Sequence, residues 1–160
     1  NHSATHPKRA QKIIINKKTV CAVHSIVARN EALTWGEFRD GMVYIAGTNY
    51  LPPPPELLNS HFEMGIDILN AESNPILRAF LYFLWGSLNQ FFYDGNKRTS
   101  RLIASSILLT AGMPPLMVRN QDRQIYNEKM TDFYNNQDAT YALMWMLDYY
   151  FNEIKIFGFI

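Results

Sequence analysis

The chain has 160 residues, which suits one domain with a single sizeable core. Hydrophobic residues make up 48% and charged residues 18%, which excludes a disordered chain, and a formal net charge of +1 gives no global pull toward nucleic acid or an anionic membrane. Any anion site must therefore come from local clustering. The single cysteine, Cys21, excludes an internal disulfide and suits a reducing compartment, so a cytoplasmic location is expected, with delivery into another cell left open.

No apolar run reaches the roughly 18 residues that a membrane span needs. The chain begins at Asn1 rather than Met, with no visible secretory leader, and what precedes it is left open. Residues 1–15 are polar and basic at first and are expected to form a loose arm. His2 and His6 have no cysteine or acid nearby and are not expected to hold a metal. From Lys17 to Ala28, Val20, Val23, Ile26 and Val27 recur at helical spacing. Cys21 reads as a small buried hydrophobe, and His24, off that spacing, as a surface or capping residue.

Residues 37–55 change character. Met42, Val43, Tyr44, Ile45 and Ala46 form a short β-rich run between Gly41 and Gly47, and Pro52–Pro55 then forbid helix. The expectation is a small β-hairpin flap and a stiff connector. Such an edge either pairs with another chain or is a plain surface loop. Pro55 opens a helix running to about Asn70. Asn74 caps the next, with Pro75 at its first position. Its stripe of Leu77, Phe80, Leu81, Leu84, Leu88 and Phe91, widened by Phe83 and Trp85, marks it as central. Another helix starts at Asn96 or Lys97 and is ended by Gly112, Pro114 and Pro115, so 75–112 is a helix–loop–helix. Two more are expected near Arg123–Asn135 and Ala139–Glu153. The C-terminal "YYFNEIKIFGFI" fits internal packing or a second copy equally, which leaves the oligomeric state open. The fold class is mainly α, a single domain of about six or more helices with one inserted hairpin.

The stretch "NQFFYDGNKRTSR", Asn89–Arg101, carries the chemistry. Gly95 permits the turn, and the following helix presents unpaired amides at Gly95, Asn96 and Lys97. Arg98 and Arg101, three apart, share a face near that positive end, where the macrodipole disfavours cations. A polyphosphate removes the mismatch, and Asp94 then suits a divalent cation bridging to it. An ordinary turn with solvated cations is the competing reading. No Walker-type loop is present.

"FYDGNKRTSR", Phe92–Arg101, resembles the signature of the Fic/Doc (filamentation-induced-by-cAMP type) domains, H-x-F-x-[DE]-G-N-[GK]-R-x-x-R, and the likeness extends over residues 17 to 150. It implies a mainly α fold that binds ATP with Mg²⁺, and in most members transfer of AMP to a hydroxyl of a target protein. By position, Asp94 would bind the metal, and the amides of Gly95, Asn96 and Lys97 would form an anion hole. Arg98 and Arg101 would hold the outer phosphates, Phe92 would anchor the loop, and Met42–Ala46 would dock the target protein.

Three departures matter. Gln90 stands where the family has the general-base His, and an amide does not titrate near neutrality. Lys97 replaces a small Gly, as in the toxin-like branch, some of whose members phosphorylate. No [ST]-x-x-x-E-[GN] inhibitory helix occurs in the 160 residues, which leaves regulation to an upstream segment, an inhibitory partner, or neither. The expectation is therefore a nucleotide-binding protein with impaired transfer. An active transferase of AMP or phosphoryl using another base, such as His24 or His61, and a non-catalytic interaction module remain the alternatives.

Overall fold

The computed structural model describes residues 12–156 and Gly158. In chain order the helices are α1 (Lys17–Val27), α2 (Leu58–Ala71), α3 (Pro75–Asn89), α4 (Asn96–Thr110), α5 (Arg123–Asn136) and α6 (Thr140–Ile156), with 3₁₀ turns at Pro55–Leu57 and Asn120–Asp122. The helix starts follow from their caps. The Asn16 side chain accepts from the Thr19 N–H at 2.9 Å, and that of Asn74 from Ile76 and Leu77 at 3.0 and 3.1 Å. Pro75 sits at the first position of α3, where its missing N–H costs nothing.

α3 is the central helix. It packs against α2, α4 and α6 at once, and Ala79, Phe80, Tyr82, Phe83, Leu84, Gly86 and Ser87 are all buried around it. Its pairing with α4 is close because a Cβ on Gly86 would lie 2.4 Å from Ser100 Oγ. The short link between α3 and α4 makes them a hairpin of helices, and α1 covers the other side of α4.

Three expectations are corrected. The flap contains no strand among the described residues. Residues 42–45 form no regular structure, their side chains alternating between exposed and half-buried, and lead to a turn in which Thr48 N–H and Oγ1 both donate to Ile45 O. The return limb cannot complete a ladder, because Pro52–Pro55 have no N–H and Asn49 N–H is given to Asn135 of α5 at 2.8 Å. Ile13 and Ile15, expected in a loose arm, pack against the core instead. Ile15 is buried, its N–H and C=O both bonded to the Asn70 side chain, while the buried Arg78 guanidinium donates to Ile13 O and Asn70. Residues 1–11, with His2 and His6, lie outside the described residues, as do Phe157, Phe159 and Ile160. Cys21 is half-buried against the core rather than fully enclosed, and burial raises its thiol pKa.

Candidate functional site at the α3–α4 turn

α3 ends at Asn89, short of Phe91 at the end of its apolar stripe, because Gln90 takes the left-handed conformation at φ 48° and ψ 57°. The loop then runs to Gly95, also left-handed at φ 74°, and α4 begins. Phe91 and Phe92 are buried and hold the loop down. Phe92 stacks on His24 at 3.7 Å between ring centroids and lies edge-on to Phe38, which itself stacks on Phe91 at 4.8 Å.

Asn96 turns its side chain inward. Its Oδ1 accepts from the Phe92 N–H at 2.9 Å, and its Nδ2 donates to Phe92 O at 2.8 Å and Gln90 Oε1 at 3.0 Å. Gln90 Nε2 donates to Ser87 O at 2.6 Å. Both side-chain amides are thus spent on the loop's own shape, and Asn96 can offer a ligand only its backbone.

His24 is not the surface residue its spacing suggests. It is fully buried, with Nδ1 accepting from the Gly36 N–H at 3.0 Å and Nε2 donating to Asp94 O at 2.9 Å. That pattern fixes the neutral Nε2–H tautomer. Burial is the main cause lowering its pKa, opposed by the Asp94 carbonyl and charge. With both nitrogens engaged it cannot accept a proton from a substrate. It positions the loop at Asp94 instead.

The first amides of α4 lie open. Among the described residues no acceptor meets the N–H groups of Asn96, Lys97 and Arg98; the first bonded amide is Thr99, to Gly95 O at 2.9 Å. Gly95 N–H, expected in this set, donates to Asp94 Oδ1 at 2.6 Å, so Arg98 takes its place. Lys97 and Arg98 of this turn line a cleft of ≈ 420 Å³, together with Arg101, Val118, Arg119, Asn120, Arg123, Tyr126 and Asn127. Arg98 Nη1 pairs with Glu31 at 2.6 Å, and its Nη2 lies 3.8 Å from Asp94. Arg119 makes a fork with both carboxylate oxygens of Glu153. Lys97, Arg101 and Arg123 have no ion-pair partner among the described residues. Desolvation, then the charges of Arg101 and Arg123, lower the Lys97 pKa. Burial pushes the Tyr126 hydroxyl up to about 12, with Arg101 opposing.

The flap is fastened to this turn by residues the motif does not include. Arg39 is buried, with no carboxylate partner among the described residues. Its Nε donates to Gln90 O at 2.6 Å, its Nη1 to Gly41 O at 2.7 Å and its Nη2 to Pro53 O at 2.5 Å, while its backbone N–H donates to Phe91 O. One guanidinium therefore ties both ends of the flap to the end of α3. Tyr93 adds a hydroxyl bond to Asp40. Beyond these ties, Met42 and Tyr44 face solvent. No local pattern announces that Glu31 pairs with Arg98, 67 residues away, or that Arg39 reaches Gln90, 51 residues away. His61, on α2, is half-buried with Nδ1 at 3.3 Å from Asn89 Oδ1, one residue from Gln90.

The comparisons agree with this architecture. The profile of the Fic/DOC family matches residues 14–108, and the chain belongs to that family. It is 34% identical over 124 residues to the Protein adenylyltransferase Fic of Drosophila melanogaster, covering 72% of this chain and 24% of that protein. The protein of the same name in Drosophila persimilis is 33% identical, with 72% and 23% covered. Among solved structures, Fic-1 (residues 134–508) from C. elegans superposes with a TM-score of 0.69 at 24% identity, over 90% of this chain and 45% of that one. A Fic family protein from Desulfovibrio desulfuricans G20 gives 0.70 at 22%, over 83% and 44%. The chain thus spans about a quarter of the length of these curated relatives.

Proposed function

We propose that this domain binds ATP in the cleft at the α4 N-terminus and is impaired in passing AMP to a protein hydroxyl. One observation carries the reading: the cations Lys97, Arg98 and Arg101 line one cleft at the start of α4, where three backbone amides have no acceptor among the described residues, beside a Gln90 whose side chain is locked into the loop. Amides and guanidinium forks suit phosphate oxygens and need no titrating group. Arg98 must exchange Glu31 for phosphate, and an exposed ion pair is worth only about 0–1 kcal/mol, so the exchange is easy. The names of the curated relatives support adenylyl transfer as the class of reaction.

Asp94 fits a metal carried in with the nucleotide. Its carboxylate is largely exposed, and no cluster of three or more His, Cys, Asp or Glu exists among the described residues to hold an ion alone. Asp94 would supply one oxygen and the phosphates the others, and the Mg²⁺ would offset phosphate charge.

Transfer requires the target hydroxyl oxygen to bond the α-phosphorus while pyrophosphate leaves, and the hydroxyl proton needs an acceptor. Gln90 cannot take it. The segment Met42–Ala46 would pair with the target's backbone and present its hydroxyl. A second reading, an active transferase, is favoured by His61, the half-buried imidazole beside Asn89.

Incubation with α- and γ-labelled ATP and cell extract tests both. Label on protein only with Gln90→His supports silenced transfer. Label with the native protein, abolished by His61→Ala, establishes the second reading and overturns the first. General-base assistance is typically worth about 10²–10⁴-fold in rate, so the gain in Gln90→His should fall in that range.

A further inference from the structure

Arg123 opens α5 on the wall of the cleft facing α4, outside the signature that carries the proposed nucleotide site. It is exposed to the cleft, and neither it nor Lys97 nor Arg101 has a carboxylate partner among the described residues. The other two cations of the cleft are already matched, Arg98 by Glu31 and Arg119 by Glu153. The protein thus leaves three like charges facing one cavity, although their mutual repulsion opposes folding. The cavity, at ≈ 420 Å³, lies within the roughly 300–1,000 Å³ usual for small-molecule sites. The charges of Arg101 and Arg123 both act on the Lys97 ammonium, so the three lie within electrostatic reach of one another.

Such a triad compensates an anion with several charges spread along its length better than a single phosphate. The open amides of α4 can hold one phosphate, and the unpaired cations that line the cleft, Arg123 from its far wall among them, remain for the rest of the phosphate chain. We infer that Arg123, reaching from α5, is a specificity-determining residue that engages the terminal phosphate and makes the cleft select a triphosphate over shorter phosphate chains. The inference rests on the nucleotide-binding reading above and adds to it a residue that the motif does not contain. Tyr126, one turn further along α5, closes the same wall, so Arg123 sits on a rigid support rather than on a free loop.

The test is calorimetric titration of the native protein, Arg123→Gln and Lys129→Gln with AMP, ADP, ATP and inorganic tripolyphosphate at fixed salt. Lys129→Gln removes the same charge from α5 away from this cleft and reports long-range electrostatics alone. Affinity should rise from AMP to ADP to ATP in the native protein. Arg123→Gln should weaken ATP and tripolyphosphate by about tenfold, as for loss of one charge-assisted contact, and leave AMP within about twofold. Lys129→Gln should leave the ATP-to-ADP ratio unchanged. Equal weakening of AMP and ATP by Arg123→Gln, or no weakening, overturns the inference while leaving ATP binding standing. Arg123-dependent binding of tripolyphosphate without any nucleotide binding upholds the role of Arg123 and removes the nucleotide reading. No binding of any of the four removes both. Arg123 is exposed, so a thermal unfolding curve matching the native one should accompany the variant.

Discussion

Gly95 and His24 show how single residues shape the turn. Gly95 needs φ 74°, and a Cβ there would lie 3.1 Å from the Ala28 Cβ of the segment that follows α1. Gly95→Ala should therefore lower stability by about 1–3 kcal/mol, from left-handed strain plus crowding. Urea denaturation measures this, and an unchanged midpoint would mean that the backbone relaxes without cost. His24 gives a pH signature. Its folded pKa is lowered from 6.5, so between that value and the depressed one the unfolded state holds a proton that the native state lacks. Its contribution is complete above about pH 6.5 and is lost progressively as pH falls through the depressed value. Urea midpoints at pH 7.5 and 5.5 should drop in the native protein, and the drop should shrink in His24→Asn. Gln90→His is compatible with the backbone, since His is among the residues enriched in the left-handed region. It forfeits the bonds to Ser87 and Asn96, a cost of about 1 kcal/mol each.

At the scale of elements, the flap depends on Arg39. Arg39→Met leaves the carbonyls of Gln90, Gly41 and Pro53 without their donor, each a loss of about 1–3 kcal/mol where buried. Limited proteolysis should then cut the flap faster, near the exposed Tyr44 and Leu51, than it cuts the helices. Equal resistance in the variant and the native protein would assign the flap's order to other contacts. The helices themselves were legible, because capping and periodicity are local: Asn74 with Pro75 marked α3, and Gly112 marked the end of α4 within two residues. The end of α3 was less so, since nothing in "NQFF" declares that Gln90 adopts φ 48°. The flap is no hairpin because β-forming residues favour a strand but do not supply a partner for it. Here the second limb is proline-rich and docks on α5.

Across the whole molecule, the net charge of +1 hides a strongly cationic cleft. Lys97, Arg98 and Arg101 were legible as a set because they lie within one turn and break the macrodipole preference together. Arg119, Arg123 and Tyr126 were not, because they come from a separate segment that only the tertiary fold carries to the cleft. Glu31 as the partner of Arg98, and His24 as the support of Asp94, likewise depend on α1 covering α4. No helix among the described residues is long and apolar enough to cross a membrane. The measurement that bears most directly on the cleft is calorimetric titration with ATP and MgCl₂ of the native protein and Arg101→Ala, each paired with a thermal melt. Saturable binding by the native protein, weakened at least tenfold in Arg101→Ala with an unchanged melt, is the expected result. Absence of binding by the native protein, or binding indifferent to Arg101, would contradict a phosphate cradle at the start of α4.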